Sequence, residues 1–286
     1  MRTYPDCIQC FDRNFRFLAG KFAKDESVRQ EMLKRISAEV EKFDTNLPPP
    51  AFARYAYRII ADFSGERDAY RKEKIESTIA AKQLLETFIK EDPSFDLNDF
   101  ETLVRLAIAG NIIDFGVNTS LTLDAAKEII RESLRKPVSR ENLEKFRELA
   151  EKAQNILYIL DNCGEAVFDR LLLERFGSKT TLCVRGYPVL NDVTRNELEM
   201  SGLSGVAKRI IDTGDYTPGI TMEKSGAEFR QAYEEADLVI AKGQGNFETL
   251  SDGTHPTVFL FMAKCQTVCA HIGAELNSLQ VRLEGI

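Results

Sequence analysis

From Asn155 onward the chain repeats one texture: a short apolar run, then polar residues or a glycine, then a helical stretch. The run NILYIL suits a buried strand, is too short for an ordinary helix, and stops abruptly at Asp161 and Asn162. TTLCVR, VAKRIID, ADLVIAK, TVFLFMA and TVCAHI supply further strand candidates, with helical stretches over 164–176, 193–201 and 227–236. Strands alternating with helices predict an α/β architecture, a parallel sheet flanked by helices in a Rossmann-like sandwich.

Upstream the texture is helical throughout. Ile8, Phe11, Phe15 and Leu18, then Val28, Met32, Ile36, Val40 and Phe43, recur at three- and four-residue spacing, which predicts two amphipathic helices. Pro48, Pro49 and Pro50 stop the second and set an extended connection before a segment at 51–63. A charged stretch carrying Ile75, Leu84, Leu85 and Phe88 reads as one long helix ended before Pro93. A buried helix over 97–113 and two charged ones at 123–135 and 140–153 follow, the last with Ser139 as N-cap. The expected division is a helical domain at 1–153 and an α/β domain at 154–286.

With 286 residues and 43% hydrophobic content, the chain has ample material for a packed core. A net charge of −7 argues against a general grip on nucleic acid, whose phosphates demand clustered Lys and Arg. The N-terminal MRTYPDCIQC lacks the apolar core of a signal peptide, and no run approaches the roughly 20 apolar residues of a membrane span. A cytoplasmic protein without a membrane or nucleic-acid partner is expected. Six cysteines without a secretory signal read as thiols or ligands, not as a disulfide framework.

In a parallel sheet the strands' C-terminal ends share one edge, where ligands bind. Asp161–Asn162 follows the first strand, Asn191–Asp192 the second, Asp212 to Asp215 the third, and Lys242 to Asn246 the fourth. Any one of these acids could simply cap a helix, but four strands ending alike favour a site of hard oxygen donors, suited to Mg²⁺ or Mn²⁺. In AKGQGNFE the third glycine of a dinucleotide motif is missing. Gly243 and Gly245 instead let backbone N–H groups approach an oxyanion, with Lys242 adding positive charge. A cation, a lysine and a glycine-rich turn outline a phosphoryl site, and phosphomonoester hydrolysis is the simplest reaction it serves. Within AGNIIDFGVN, Asn111 and Asp114 read either as groups that satisfy a helix end or as the polar lining of a cleft.

The ordered set DNCGE, RGYPVLNDVT and KGQGNFE resembles the DUF89 family of metal-dependent damage-control phosphatases. CIQC, the PPP segment, GERDAYRKEK and AGNIID resemble the version of it that carries an N-terminal C-x-x-C, with an ARMT1-like domain. The resemblance implies an N-terminal helical part and a C-terminal αβα sandwich with a divalent cation at the sheet edge, Mg²⁺ or Mn²⁺, with Ni²⁺ and Co²⁺ also candidates. By the same resemblance Asp161, Asn162 and Asp192 are the metal ligands. Lys242 faces the phosphate together with Gly243, Gly245 and Asn246, while Asn111 and Asp114 reach the cleft from the helical part. The substrates implied are small phosphorylated metabolites: sugar phosphates, damaged nucleotides or cofactors. Glu165 and Asp215 are candidates for the general base by placement only, and no oligomeric state is indicated.

Rival readings are weaker. A phospho-aspartate mechanism at Asp161 wants a second Asp two residues on, where Cys163 stands. A methyltransferase wants a glycine-rich loop that LDNCGEAVFD lacks, and the alternation alone does not fix function. His255 and His271 sit in no nucleophile signature. From another class, Cys7 and Cys10 with Cys265 and Cys269 could complete a four-sulfur zinc or iron–sulfur site in a non-catalytic metal or redox protein, or serve as small buried residues.

Overall fold

A computed structural model describes residues 1–91, 96–112 and 123–286. Three helices open the chain: α1 (Pro5–Phe22), α2 (Glu26–Lys42) and α3 (Pro49–Ser64). They pack round Phe11, Phe15, Met32 and Ile36, positions legible in the sequence from their spacing, together with Phe52 and Tyr57 of α3. Phe11 stacks on Phe52 with ring centroids 4.5 Å apart. Pro49 and Pro50 lie within the first turn of α3, not in an extended connection, because first-turn N–H groups need no partner and proline's φ already suits a helix.

Helices α4 (Arg71–Glu91), α5 (Phe100–Ala109), α6 (Leu123–Arg135) and α7 (Arg140–Lys152) follow, and Ser139 caps α7 by accepting from Asn142 N at 3.2 Å. The sheet comprises β1 (Ile156–Ile159), β2 (Thr180–Val184), β3 (Arg209–Asp212), β4 (Leu238–Lys242), β5 (Thr257–Met262) and β6 (Leu279–Glu284). Their order is β3-β2-β1-β4-β5-β6, parallel except for β6, which runs antiparallel to β5. Helices α8 (Cys163–Phe176), α9 (Ala227–Glu235), α10 (Gln244–Leu250) and α11 (Gln266–Ile272) are interleaved.

Side chains alternate across the sheet as strand geometry requires. Tyr158, Leu182, Ile240 and Leu260 point to one face, where α8 and the helices α4 to α7 cover them with Leu84, Phe88, Val104, Phe146 and Phe168. Leu157, Cys183, Val239, Phe259 and Phe261 point to the other, against Phe229 of α9, Phe247 of α10 and Val268 of α11. One buried cluster thus holds residues from both sides of residue 153. Among the described residues no helix is long and apolar enough to cross a membrane.

Three sequence expectations are corrected. TVCAHI is helix α11, not a strand: Cys265 Sγ accepts from Val268 N at 3.4 Å and Gly273, at φ 65°, closes the other end. The stretch 193–201 holds only a 3₁₀ turn, Arg195–Glu197, opened by a capping box in which Glu197 Oε2 accepts from Thr194 N and Oγ1. LQVRLE, passed over in the sequence, is β6, an edge strand whose Leu279 and Val281 alone are buried.

Candidate active site at the switch point of the sheet

The strand order reverses at β1, whose neighbours are β2 on one side and β4 on the other, and the crevice this opens is the expected place for a ligand. Asp161 lies just past β1, and Asn162 is the N-cap of α8. The segment after β2 is laced beside them by three backbone bonds: Cys163 N to Asn191 O at 2.9 Å, Val193 N to Asp161 O at 2.8 Å, and Arg185 N to Val193 O at 2.8 Å. An isolated bridge pairs Asn162 with Asp192. Leu190 enters this turn at φ 47°, a left-handed conformation that a non-glycine residue adopts only when its surroundings impose it. From the other side of the crevice comes Gly243, at φ 79°, where a Cβ would stand 1.9 Å from Asp161 Oδ2.

The two carboxylates share one guanidinium. Arg185 Nε donates to Asp192 Oδ2 at 2.6 Å and Nη2 to Asp161 Oδ1 at 3.3 Å, while Nη1 reaches Gly219 O and Asn246 Oδ1, both at 3.1 Å. Burial, then Asp192 and Glu165, push the Asp161 carboxyl up against the opposing pull of Arg185 and Lys264. Burial likewise pushes Asp192 up against Arg185.

Asp161 Oδ2 accepts from Asn111 Nδ2 and from Asn162 Nδ2, each at 3.0 Å. Asn111 Nδ2 also donates to Glu165 Oε2 at 2.7 Å, and Glu165 is held from beneath by Lys242, whose Nζ lies 2.5 Å from Oε1. The same ammonium donates to Asp169 Oδ1 and to Ala107 O, each at 2.7 Å. All three of its protons are therefore engaged inside the protein, and its contact with the site runs through Glu165. Asn246 is committed likewise: Nδ2 donates to Lys242 O at 2.6 Å and Oδ1 accepts from Arg185.

A cavity of about 720 Å³ opens over this edge. Its lining includes Asn111, Asp161, Asn162, Asp192 and Gly245 of the expected site, and Cys7, Cys10 and Cys265 of the cysteine set. Lys242, Gly243, Asn246 and Cys269 are not among the lining residues, and Asp114 lies outside the described residues. Glu165 is fully buried below the cavity floor, and Asp215 is engaged by Arg54 at 2.7 Å and by Thr217. Ionisable side chains that sequence reasoning missed also line the cavity, Arg13, Lys264 and Glu248 among them. Lys264, just past β5, donates to Asn111 O at 2.8 Å, and Glu248, on α10, accepts from Gln244 Nε2 at 2.7 Å. Burial pushes Glu248 up to about 7. Extending the strand-end argument to the fifth strand would have found Lys264, and the charged residue closing TTLCVR was the signal for Arg185.

Among the described residues no group of three or more His, Cys, Asp and Glu is arranged to hold a metal ion. The set at the crevice is of another composition, two carboxylates and one carboxamide, all hard oxygen donors. Among the described hydrogen bonds Asp192 uses only Oδ2, which leaves its other oxygen for a ligand, while the Asn162 side chain also accepts from the backbone in the capping box of α8. This donor chemistry fits a divalent cation.

Fold and crevice define an α/β protein with an acidic, oxygen-rich site at the topological switch point. The family model described as damage-control phosphatase ARMT1-like domain matches residues 3–279. Damage-control phosphatase PH1575 of Pyrococcus horikoshii is 30% identical over 285 residues, covering 98% of this chain and 97% of that protein. A damage-control phosphatase of Archaeoglobus fulgidus is 28% identical, covering 99% of each chain. The crystal structure of the DUF89 family protein from Pyrococcus horikoshii superposes with a TM-score of 0.86 at 28% identity, covering 99% of each chain. The chain belongs to the ARMT1-like, DUF89 family of damage-control phosphatases.

Proposed function

We propose that this protein is a metal-dependent phosphomonoesterase that releases phosphate from small phosphorylated metabolites. The observation that carries the reading is the meeting of Asp161, Asn162 and Asp192 in one cavity with Lys264. Asp161, Asn162 and Asp192 would hold a divalent cation, which when bound supplies Lewis-acid polarisation to a phosphate oxygen or to water. Arg185 fixes the separation of the two carboxylates, and Asn111 orients Asp161. Lys264 presents its ammonium to phosphate oxygens, the part that sequence reasoning assigns to Lys242. Lys242 serves as a positioning residue through Glu165.

The test is phosphate release from a panel of sugar phosphates, nucleotides and phosphorylated cofactors, run separately with Mg²⁺, Mn²⁺, Co²⁺ and Ni²⁺. Release with at least one cation, lost on chelation and in Asp192→Ala, is expected. Inactivity with every cation, or a wild-type rate in Asp192→Ala, overturns the reading. The cysteine-centred rival gains little support: Cys269 Sγ turns to Ala263 O at 3.9 Å, away from the cavity that the other three thiols line.

A further inference from the structure

Three thiols stand in the wall of the phosphatase cavity, and the proposed chemistry uses none of them. Cys7 and Cys10 sit on α1, separated by one helical turn, and Cys265 is the N-cap of α11. Cys10 is exposed and Cys7 partly covered, and the described structure leaves both as free thiols. Thr267 and the carboxylate of Glu248 are among the groups that face the Cys7 thiol. Burial pushes the Cys7 thiol up, which keeps it protonated.

We propose that Cys7 and Cys10 form a reversible oxidation site for hydrogen peroxide, and that closing their disulfide reshapes the cleft wall and weakens substrate binding. Side chains three apart on a helix place their Cβ atoms about 5–6 Å apart, whereas a disulfide needs about 3.5–4.5 Å. The bond is therefore within reach only if the first turn of α1 tightens. The remainder of α1 cannot follow, because Phe11 and Phe15 are locked against Phe52. The strain falls on the cavity-lining turn, which makes the disulfide easy to reduce, the property of a switch and not of a structural staple.

The chemistry balances with peroxide as the named oxidant. The exposed Cys10 sulfur attacks one peroxide oxygen; the O–O bond breaks, water leaves, and a sulfenic acid remains. The Cys7 thiol then attacks that sulfur, forming the S–S bond and releasing a second water. Two S–H bonds are lost and peroxide takes up both electrons. The displaced turn then alters the cavity at Cys7, Cys10 and their neighbours.

The oxidation site stands independently of the catalytic reading; only its effect on substrate rests on that reading. The experiment treats the whole protein with hydrogen peroxide and measures intact mass, the bridged peptide and phosphate-release kinetics. A loss of about 2 Da mapped to Cys7–Cys10 is expected. With it should come a severalfold rise in KM, reversed by dithiothreitol. Cys7→Ser and Cys10→Ser, each compared with its own rate before peroxide, should show neither change. A gain of about 32 Da at Cys10 with Cys7 still free, or a bridge to Cys265 instead, overturns the site. A Cys7–Cys10 bridge that leaves KM unchanged overturns the gating. If the untreated protein releases no phosphate from any substrate, the phosphatase reading and the gating with it are overturned, while the mass measurement still decides the oxidation site.

Discussion

The ammonium of Lys242 and the carboxylate of Glu165 meet at 2.5 Å, and neither side chain has any exposure to solvent. Asp169 joins them at 2.7 Å, its carboxyl pushed up to about 7 by burial against the pull of Lys242. Removing the lysine strands two buried carboxylates, the case in which breaking an ion pair costs most. Lys242→Ala should lower unfolding stability by about 3–5 kcal/mol, measured by urea denaturation at pH 7. A loss below about 1 kcal/mol would show that the network carries little, since that is what an exposed pair is worth.

Gly243 is required by two constraints at once, a φ of 79° and the 1.9 Å approach that a Cβ would make to Asp161 Oδ2. Gly243→Ala should therefore displace the Asp161 carboxylate and lower phosphate release about 100-fold, the size of an active-site misplacement of about 1 Å. Gly205→Ala is the matched control: its φ is 80°, but a Cβ there meets nothing within 4 Å. It should cost about 1 kcal/mol of stability from backbone strain and leave kcat/KM unchanged. Equal activity losses in the two variants would mean that strain, and not contact with Asp161, is responsible.

Lys264 lines the cavity with its ammonium held 2.8 Å from Asn111 O. If it meets phosphate, Lys264→Ala loses a charge-assisted hydrogen bond worth about 1.5–3 kcal/mol, so KM should rise about 10- to 150-fold. Mn²⁺ affinity, measured by calorimetry without substrate, should change little. An unchanged KM would remove Lys264 from the phosphate and reopen the question of which cation stands there.

The sheet and the edge where the candidate residues gather were legible because both follow from local pattern. Each buried strand announced itself as an apolar run, and Asp161, Asn162 and Asp192 stand at strand ends that converge in the crevice. What pattern could not reveal was direction. Lys242 closes β4 as expected, but strand alternation points it towards α8 and α5, where Glu165, Asp169 and Ala107 O consume its donors. Short helices were misread for a related reason: over the seven residues of α11, periods of 2 and 3.6 are hard to separate, and the deciding contacts are the Cys265 cap and the turn at Gly273. The shared place of Cys7, Cys10 and Cys265 in one cavity depends on α1 packing beside the sheet edge, a long-range contact that no spacing encodes.

Glu248 supplies a test in pH. Its carboxyl is raised from 4.5 to about 7, first by burial, with Gln244 and the chain's α-amino group pulling the other way. Below pH 4.5 folded and unfolded chains both hold the proton, so the group favours neither. Between 4.5 and 7 the unfolded chain releases it first, and stability falls as pH rises; above 7 the full penalty is in place. At about 1.4 kcal/mol per unit the full penalty is about 3.5 kcal/mol. Glu248→Gln keeps an acceptor for Gln244 Nε2 and removes the titration. The stability of the variant minus that of the wild type should therefore rise by about 3 kcal/mol between pH 4.5 and pH 8 in urea denaturation series. A difference that stays flat over that range would mean that the buried carboxylate is solvated or paired, and that its place in the cavity wall imposes no penalty.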